Sequence, residues 1–145
     1  MSFSKKRKNV FIDSALPYAF KTKDKAVIGD VYLAKGTLFY SMKDFQKALD
    51  NHLKANGYIS QTDDVYNKKR IKYKIGIVKN YLGYYADAAS LFQECIDYYS
   101  QDETYNMQRG YVSSLEGLAW SYTKMNRVKK SNQVLQTALR SVEKK

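Results

Sequence analysis

The chain has 145 residues, of which 44% are hydrophobic and 27% charged, and its formal net charge is +11. That length holds a real core, and the balance excludes an intrinsically disordered chain. One Pro and seven Gly permit long helices almost everywhere, and the single Cys95 excludes a disulfide framework and a cysteine-rich metal site.

Residues 1–9 form the first segment, read as a basic flexible N-terminus carrying Lys5, Lys6, Arg7 and Lys8. A basic start can open a secretory signal, but no apolar stretch of about 7–15 residues follows, so none is expected. No apolar run approaches the roughly 20 residues of a membrane span, so no membrane insertion is expected either.

Residues 10–145 are read as one helical repeat domain. Apolar spacing predicts helices over Val10–Lys21, Lys25–Met42, Asp44–Asn56, Asp63–Leu82, Tyr85–Ser100, Thr104–Met125 and Val128–Val142. In the first, Phe11, Ile12, Ala15, Leu16 and Ala19 form the apolar stripe, and Pro17 is expected to kink or shorten it. Asp63 is the expected N-cap of the fourth helix, and Asp102 or Ser100 that of the sixth.

Self-comparison of the chain finds a repeat. Gly36, Phe45, Ala48, His52 and Ala55 align without gaps on Gly76, Tyr85, Ala88, Phe92 and Cys95, and on Ala119, Val128, Ser131, Leu135 and Ala138. Small and bulky residues alternate in the same order each time. That alternation suits two helices crossing closely, with small residues at the crossing points and bulky ones between them. The joining turns are Met42-Lys43-Asp44, Leu82-Gly83-Tyr84 and Met125-Asn126-Arg127. Gly83 and Asn126 suit the left-handed residue that ends a helix, whereas Lys43 predicts a weaker cap.

The stretches KGTLFYSMKDFQKALDNHLKA, IGIVKNYLGYYADAASLFQEC and LAWSYTKMNRVKKSNQVLQTA resemble the tetratricopeptide repeat, a helix–turn–helix unit. The resemblance covers most of the chain, in repeats at about 29–57, 69–100 and 112–141. It implies an all-α, right-handed α-solenoid of three such hairpins with an extra N-terminal helix. Lys72 and Lys79 depart from it, because the family usually has large apolar residues there; the stripe shifts to Ile71, Ile75, Val78 and Leu82. His52 likewise stands at a usually aromatic or aliphatic position. The period of 40 and then 43 residues exceeds the family's usual value of about 34. Long periods are similar to those of arrays in bacterial regulatory proteins. The extra residues fall at Gly57–Asp64 and Ser100–Thr104, so helices or loops lengthen there.

By the same resemblance, the first helix of each unit lines a concave groove that takes a protein or peptide segment. The residues carried over are Leu33, Thr37 and Tyr40, then Arg70, Tyr73, Lys74, Ile77, Asn80 and Tyr81, then Glu116, Trp120, Thr123 and Lys124. Trp120 fits the groove or the core equally well. The chaperone-binding members use a clamp of two Lys, two Asn and one Arg. Leu33, Thr37, Lys74, Ser113 and Gly117 stand at those places, which excludes that specificity. The expected role is a binding module, the regulatory or sensory part of a larger bacterial regulator. Its expected compartment is the cytoplasm, or the periplasm if the regulator is membrane-anchored.

No enzyme is expected, and neither a cofactor nor a metal. His52 and Cys95 both occupy packing positions, and no glycine-rich phosphate loop or nucleophile motif is present. Two alternatives remain open. Lys68, Lys69, Arg70, Lys72, Lys74 and Lys79 crowd one helix with Tyr66 and Tyr73, a composition that suits single-stranded nucleic acid. Unpaired apolar faces on the end helices (Leu135, Leu139 and Val142 on the last) would suit self-assembly or a piece of a longer array.

Overall fold

In the computed structural model, which describes residues 3–143, the chain is all-helical, with seven α-helices and no strand among those residues. They are α1 (Phe3–Thr22), α2 (Lys25–Ser41), α3 (Phe45–Ile59), α4 (Val65–Leu82), α5 (Tyr85–Tyr99), α6 (Tyr105–Lys124) and α7 (Val128–Glu143). The chain divides into two compact units between Ile71 and Lys72, within α4. The longer repeat period is accommodated in two ways: α3 extends to Ile59, and residues 100–104 form a loop.

In the first unit, α1 packs on α2 and α2 on α3. Helices α2 and α3 close on glycines. A Cβ on Gly29 would fall 2.5 Å from Ile59 Cγ1, and one on Gly36 would fall 2.7 Å from His52 Nε2. The two contacts lie seven residues apart on each helix, in opposite directions, so the pair is antiparallel with a fixed register. Ala48, Ala55, His52 and Ile59 are all buried there. At the opposite end of the hairpin from its turn, Tyr32 stacks on Tyr58 at 5.8 Å, and Phe20 meets both rings edge-on at 6.3 Å.

Helix α1 departs most from the sequence reading. It begins at Phe3, so residues 3–9 are helical where a flexible arm is expected; residues 1 and 2 lie outside the described residues. Two contacts with α2 explain this. Lys5 Nζ donates to the Ser41 carbonyl at 2.9 Å, at the electronegative end of α2, and Lys35 pairs with Asp13 at 2.8 Å. The side of α1 that turns inward carries Asn9, Ile12, Leu16 and Ala19, at helical spacing. Phe11, about 100° away around the helix, is 79% exposed, a correction to the expected stripe. The helix also runs through Pro17. Pro17 and Asp13 are both exposed, so water can satisfy the Asp13 carbonyl that has lost its donor.

In the second unit, Phe92 on α5 is fully buried. A Cβ on Gly76 of α4 would stand 3.0 Å from its ring, and one on Gly117 of α6 would stand 2.5 Å from Cζ. One ring thus fills the space left by two glycines on two different helices. Ala88, Ile96, Leu115, Leu118 and Ala138 complete this core. Gly110 and Tyr99 repeat the arrangement one step further along α5 and α6, with a Cβ 2.7 Å from the ring. The two lysines that break the apolar pattern of α4 are tied to α5: Lys72 Nζ lies 2.6 Å from Glu94 Oε1, and Lys79 Nζ lies 3.5 Å from Asp87 Oδ2. Partly exposed pairs of this kind each contribute about 0.2–1 kcal/mol.

All three hairpin turns have the same geometry. Lys43, Gly83 and Asn126 have φ of 61°, 89° and 59°. Each is followed by a backbone N–H that reaches back to close the turn: Asp44 to Phe39, Tyr84 to Lys79 and Arg127 to Tyr122, at 3.0, 2.8 and 2.8 Å. Lys43 adopts the strained conformation that its repeat equivalents adopt more easily. We therefore expect Lys43→Gly to stabilise the protein by about 0.5–1 kcal/mol, as a raised urea midpoint with an unchanged m-value. The caps elsewhere differ from expectation in detail. Asp64, not Asp63, caps α4, its Oδ1 accepting from the Asn67 N–H at 3.0 Å. Asp102 accepts from the Thr104 N–H at 2.9 Å, and Thr104 is the N-cap residue of α6.

Candidate binding surfaces on the first helices

Helices α4 and α6 lie side by side in the second unit, and the side chains between them define the candidate surface there. Asn80 Nδ2 donates to the Gly117 carbonyl at 3.2 Å, and Ser121 Oγ donates to Asn80 Oδ1 at 2.8 Å. Tyr81 meets Trp120 edge-on, with ring centroids 4.8 Å apart. Tyr73 is hydrogen-bonded to Ser113. Partners therefore advance along both helices together, which makes α4 and α6 parallel neighbours.

The Asn80 contacts correct the sequence reading. Asn80 is buried, and its amide is committed to α6. It sits one turn after Gly76, on the packed side of α4, so it holds the two helices together rather than facing a ligand. A second polar link ties α6 to α7: Ser131 Oγ donates to the Ala119 carbonyl at 3.0 Å and lies 2.7 Å from Thr123 Oγ1.

The remaining expected residues of this unit form two neighbouring rows. Tyr73, Lys74 and Ile77 are half-buried and Tyr81 is exposed on α4; on α6, Trp120 is half-buried while Glu116 and Lys124 are exposed. Trp120 is thus neither a core residue nor a free one. Its ring is fixed by Tyr81 and keeps an open side, the condition in which a large aromatic can anchor a partner. Burial pushes the Tyr73 phenol above its ordinary pKa, and the charge of Glu116 acts in the same direction, against the Ser113 hydrogen bond that favours ionisation. Tyr73 therefore remains a neutral donor through the physiological range.

In the first unit, Tyr40 is half-buried and edge-on to Phe45 at 5.9 Å, at the hairpin turn. Leu33 is buried, a correction to its expected place on an open groove. Its exposed neighbour Thr37 and exposed Arg70 both line a cleft of about 990 Å³ between α1, α2 and the start of α4. Its far wall is α1, through Arg7, Lys8 and Ile12. Arg7 and Lys8 escape the sequence reading because residues 1–9 read as a flexible arm, whereas Ile12 belongs to the apolar stripe expected of the first helix. The signal was the spacing of Asn9, Ile12, Leu16 and Ala19, which extends the helix before Val10.

Of the basic residues on α4, Lys72 and Lys79 carry the ion pairs described above, so the row is less available to phosphate than its composition implies. Cys95 is fully buried at a helix crossing. Among the described residues, no three His, Cys, Asp or Glu side chains converge, and no helix is long and apolar enough to cross a membrane. Neither a protein-family model nor a curated protein matches the chain.

Proposed function

We propose that the chain is a protein-interaction module of the tetratricopeptide type, whose hairpins stack as a right-handed solenoid and whose first helices receive a partner segment. The observation that carries this reading is the parallel pairing of α4 and α6, which leaves Tyr81, Trp120, Lys74 and Lys124 on adjoining rows. Two parallel first helices, joined through a buried amide and edged with rings and cations, suit recognition of an extended or helical peptide. The three identical turns and the glycine-to-ring crossings support the resemblance to the repeat family. On this reading the chain has no catalytic role and acts as a regulatory portion of a larger bacterial protein in the cytoplasm, a compartment that suits a chain whose single cysteine, Cys95, is buried and outside any disulfide.

The test is affinity capture from a nuclease-treated lysate with wild type and with Tyr81→Ala/Trp120→Ala. Both substitutions are outside the core, so circular dichroism should be unchanged. Captured proteins should be lost with the variant and persist as salt is raised. Capture that disappears only with nuclease or with salt would assign the surface to nucleic acid instead.

A further inference from the structure

We propose that the cleft between α1, α2 and the first turns of α4 is a second peptide site, selective for an acidic segment with alternating apolar residues. It lies wholly in the first unit. Leu33, Thr37 and Arg70 are residues that the repeat resemblance assigns to the groove, so the proposal rests on the interaction reading above and specifies the partner's chemistry. Its variants are separate from the Tyr81/Trp120 pair that tests that reading. Its floor is apolar: Leu33 and Leu38 are buried and Ile12 is half-buried. Its edges are cationic: Lys8 and Arg70 face it, with Arg7 also in its lining, and among the described residues Asp30 is the one acid there. Arg70 and Lys8 are exposed, and they reach the cleft from different helices.

This composition separates the partner classes. A bare anion would need only the cations and would gain nothing from the aliphatic floor. Single-stranded nucleic acid would need ring faces on which bases stack, and among the described residues Phe11 is the one aromatic residue lining the cleft. An acidic segment with Leu or Ile at intervals uses both features, carboxylates on Arg70 and Lys8 and aliphatic side chains on the floor. The protein's net charge of +11 would also speed its arrival. A volume of about 990 Å³ accommodates several side chains of such a segment.

The experiment is fluorescence anisotropy with three labelled probes: a peptide alternating Glu and Leu, one alternating Glu and Ser, and an oligothymidylate. Wild type should bind the Glu/Leu peptide at least about tenfold more tightly than the Glu/Ser peptide, because the latter carries the same charge without the apolar contacts. Arg70→Glu should weaken Glu/Leu binding by about tenfold or more through charge reversal. Thr37→Trp, which fills the cleft from α2 without changing charge, should weaken it similarly. Both positions are exposed, and unchanged circular dichroism verifies folding; should Thr37→Trp fail to fold, Arg70→Glu and the two peptides still decide the matter. Equal binding of the two peptides, or no effect of either variant, overturns the proposal. Tighter oligothymidylate binding that is lost with the same variants overturns it in favour of a nucleic-acid cleft.

Discussion

Phe92→Ala is expected to destabilise the protein by about 3–5 kcal/mol, a loss that lowers the thermal midpoint by roughly 10–20 °C. The ring is fully buried and fills the space above two glycines, Gly76 and Gly117, which cannot move inward to replace it. Collapse of α4 and α6 onto the vacancy would require both helices to shift, and the Asn80 link to Gly117 and Ser121 fixes their spacing. The cavity therefore persists, and such a loss removes a large part of a typical folding free energy of about 5–15 kcal/mol. The repeat supplies its own control. Leu135 occupies the equivalent position in the third hairpin but is 41% exposed, so Leu135→Ala should cost less than about 1 kcal/mol. Chemical denaturation of both variants measures the contrast. Similar losses at the two sites would mean that the Phe92 socket is not the centre of the second unit.

That contrast also marks what the sequence could disclose. Helix positions were legible because Gly and Pro are scarce and the apolar spacing is regular; α2, α4 and α7 start or end within two residues of where the pattern places them. The small-to-bulky alternation was legible too, and Gly36 and Gly76 do lie against His52 and Phe92. Three things were not. The start of α1 depends on Lys5 reaching the Ser41 carbonyl and Asp13 reaching Lys35, contacts between helices that no local pattern encodes. The role of Asn80 depends on which carbonyls of α6 come within reach, and a polar residue between Lys79 and Tyr81 reads as surface in sequence. The roles of Lys72 and Lys79 depend on Glu94 and Asp87 one helix away. In each case a polar or charged side chain is placed by its partner across a helix pair. Apolar side chains, by contrast, mostly follow periodicity, with Phe11, exposed beside the α1 stripe, and Leu33, buried where an open groove is expected, as the departures.

Gly36→Ala should destabilise the protein by about 1–3 kcal/mol, although in an exposed helix the same change would stabilise it by up to about 1 kcal/mol. The added methyl would enter the space of the His52 imidazole, 2.7 Å from Nε2, and His52 is buried between α2 and α3 with no open side to move toward. Gly57 gives the opposite sign on the neighbouring helix. It is exposed within α3, nothing lies within 4 Å of its would-be Cβ, and Gly57→Ala should stabilise by about 0.5–1 kcal/mol. A double-mutant cycle isolates the crossing itself. His52→Ala removes the ring and leaves a gap, and adding Gly36→Ala then returns volume to that gap. The two losses should be less than additive, with a coupling of about 0.5–3 kcal/mol. His52→Phe completes the set, because Gly76 and Phe92 already place a phenyl ring over a glycine at the corresponding positions. Phenylalanine should be accepted at position 52 with a change of less than about 1.5 kcal/mol. Additive losses in the cycle, or an unfolded His52→Phe protein, would mean that the two hairpins are closed by different contacts despite their matching sequence pattern.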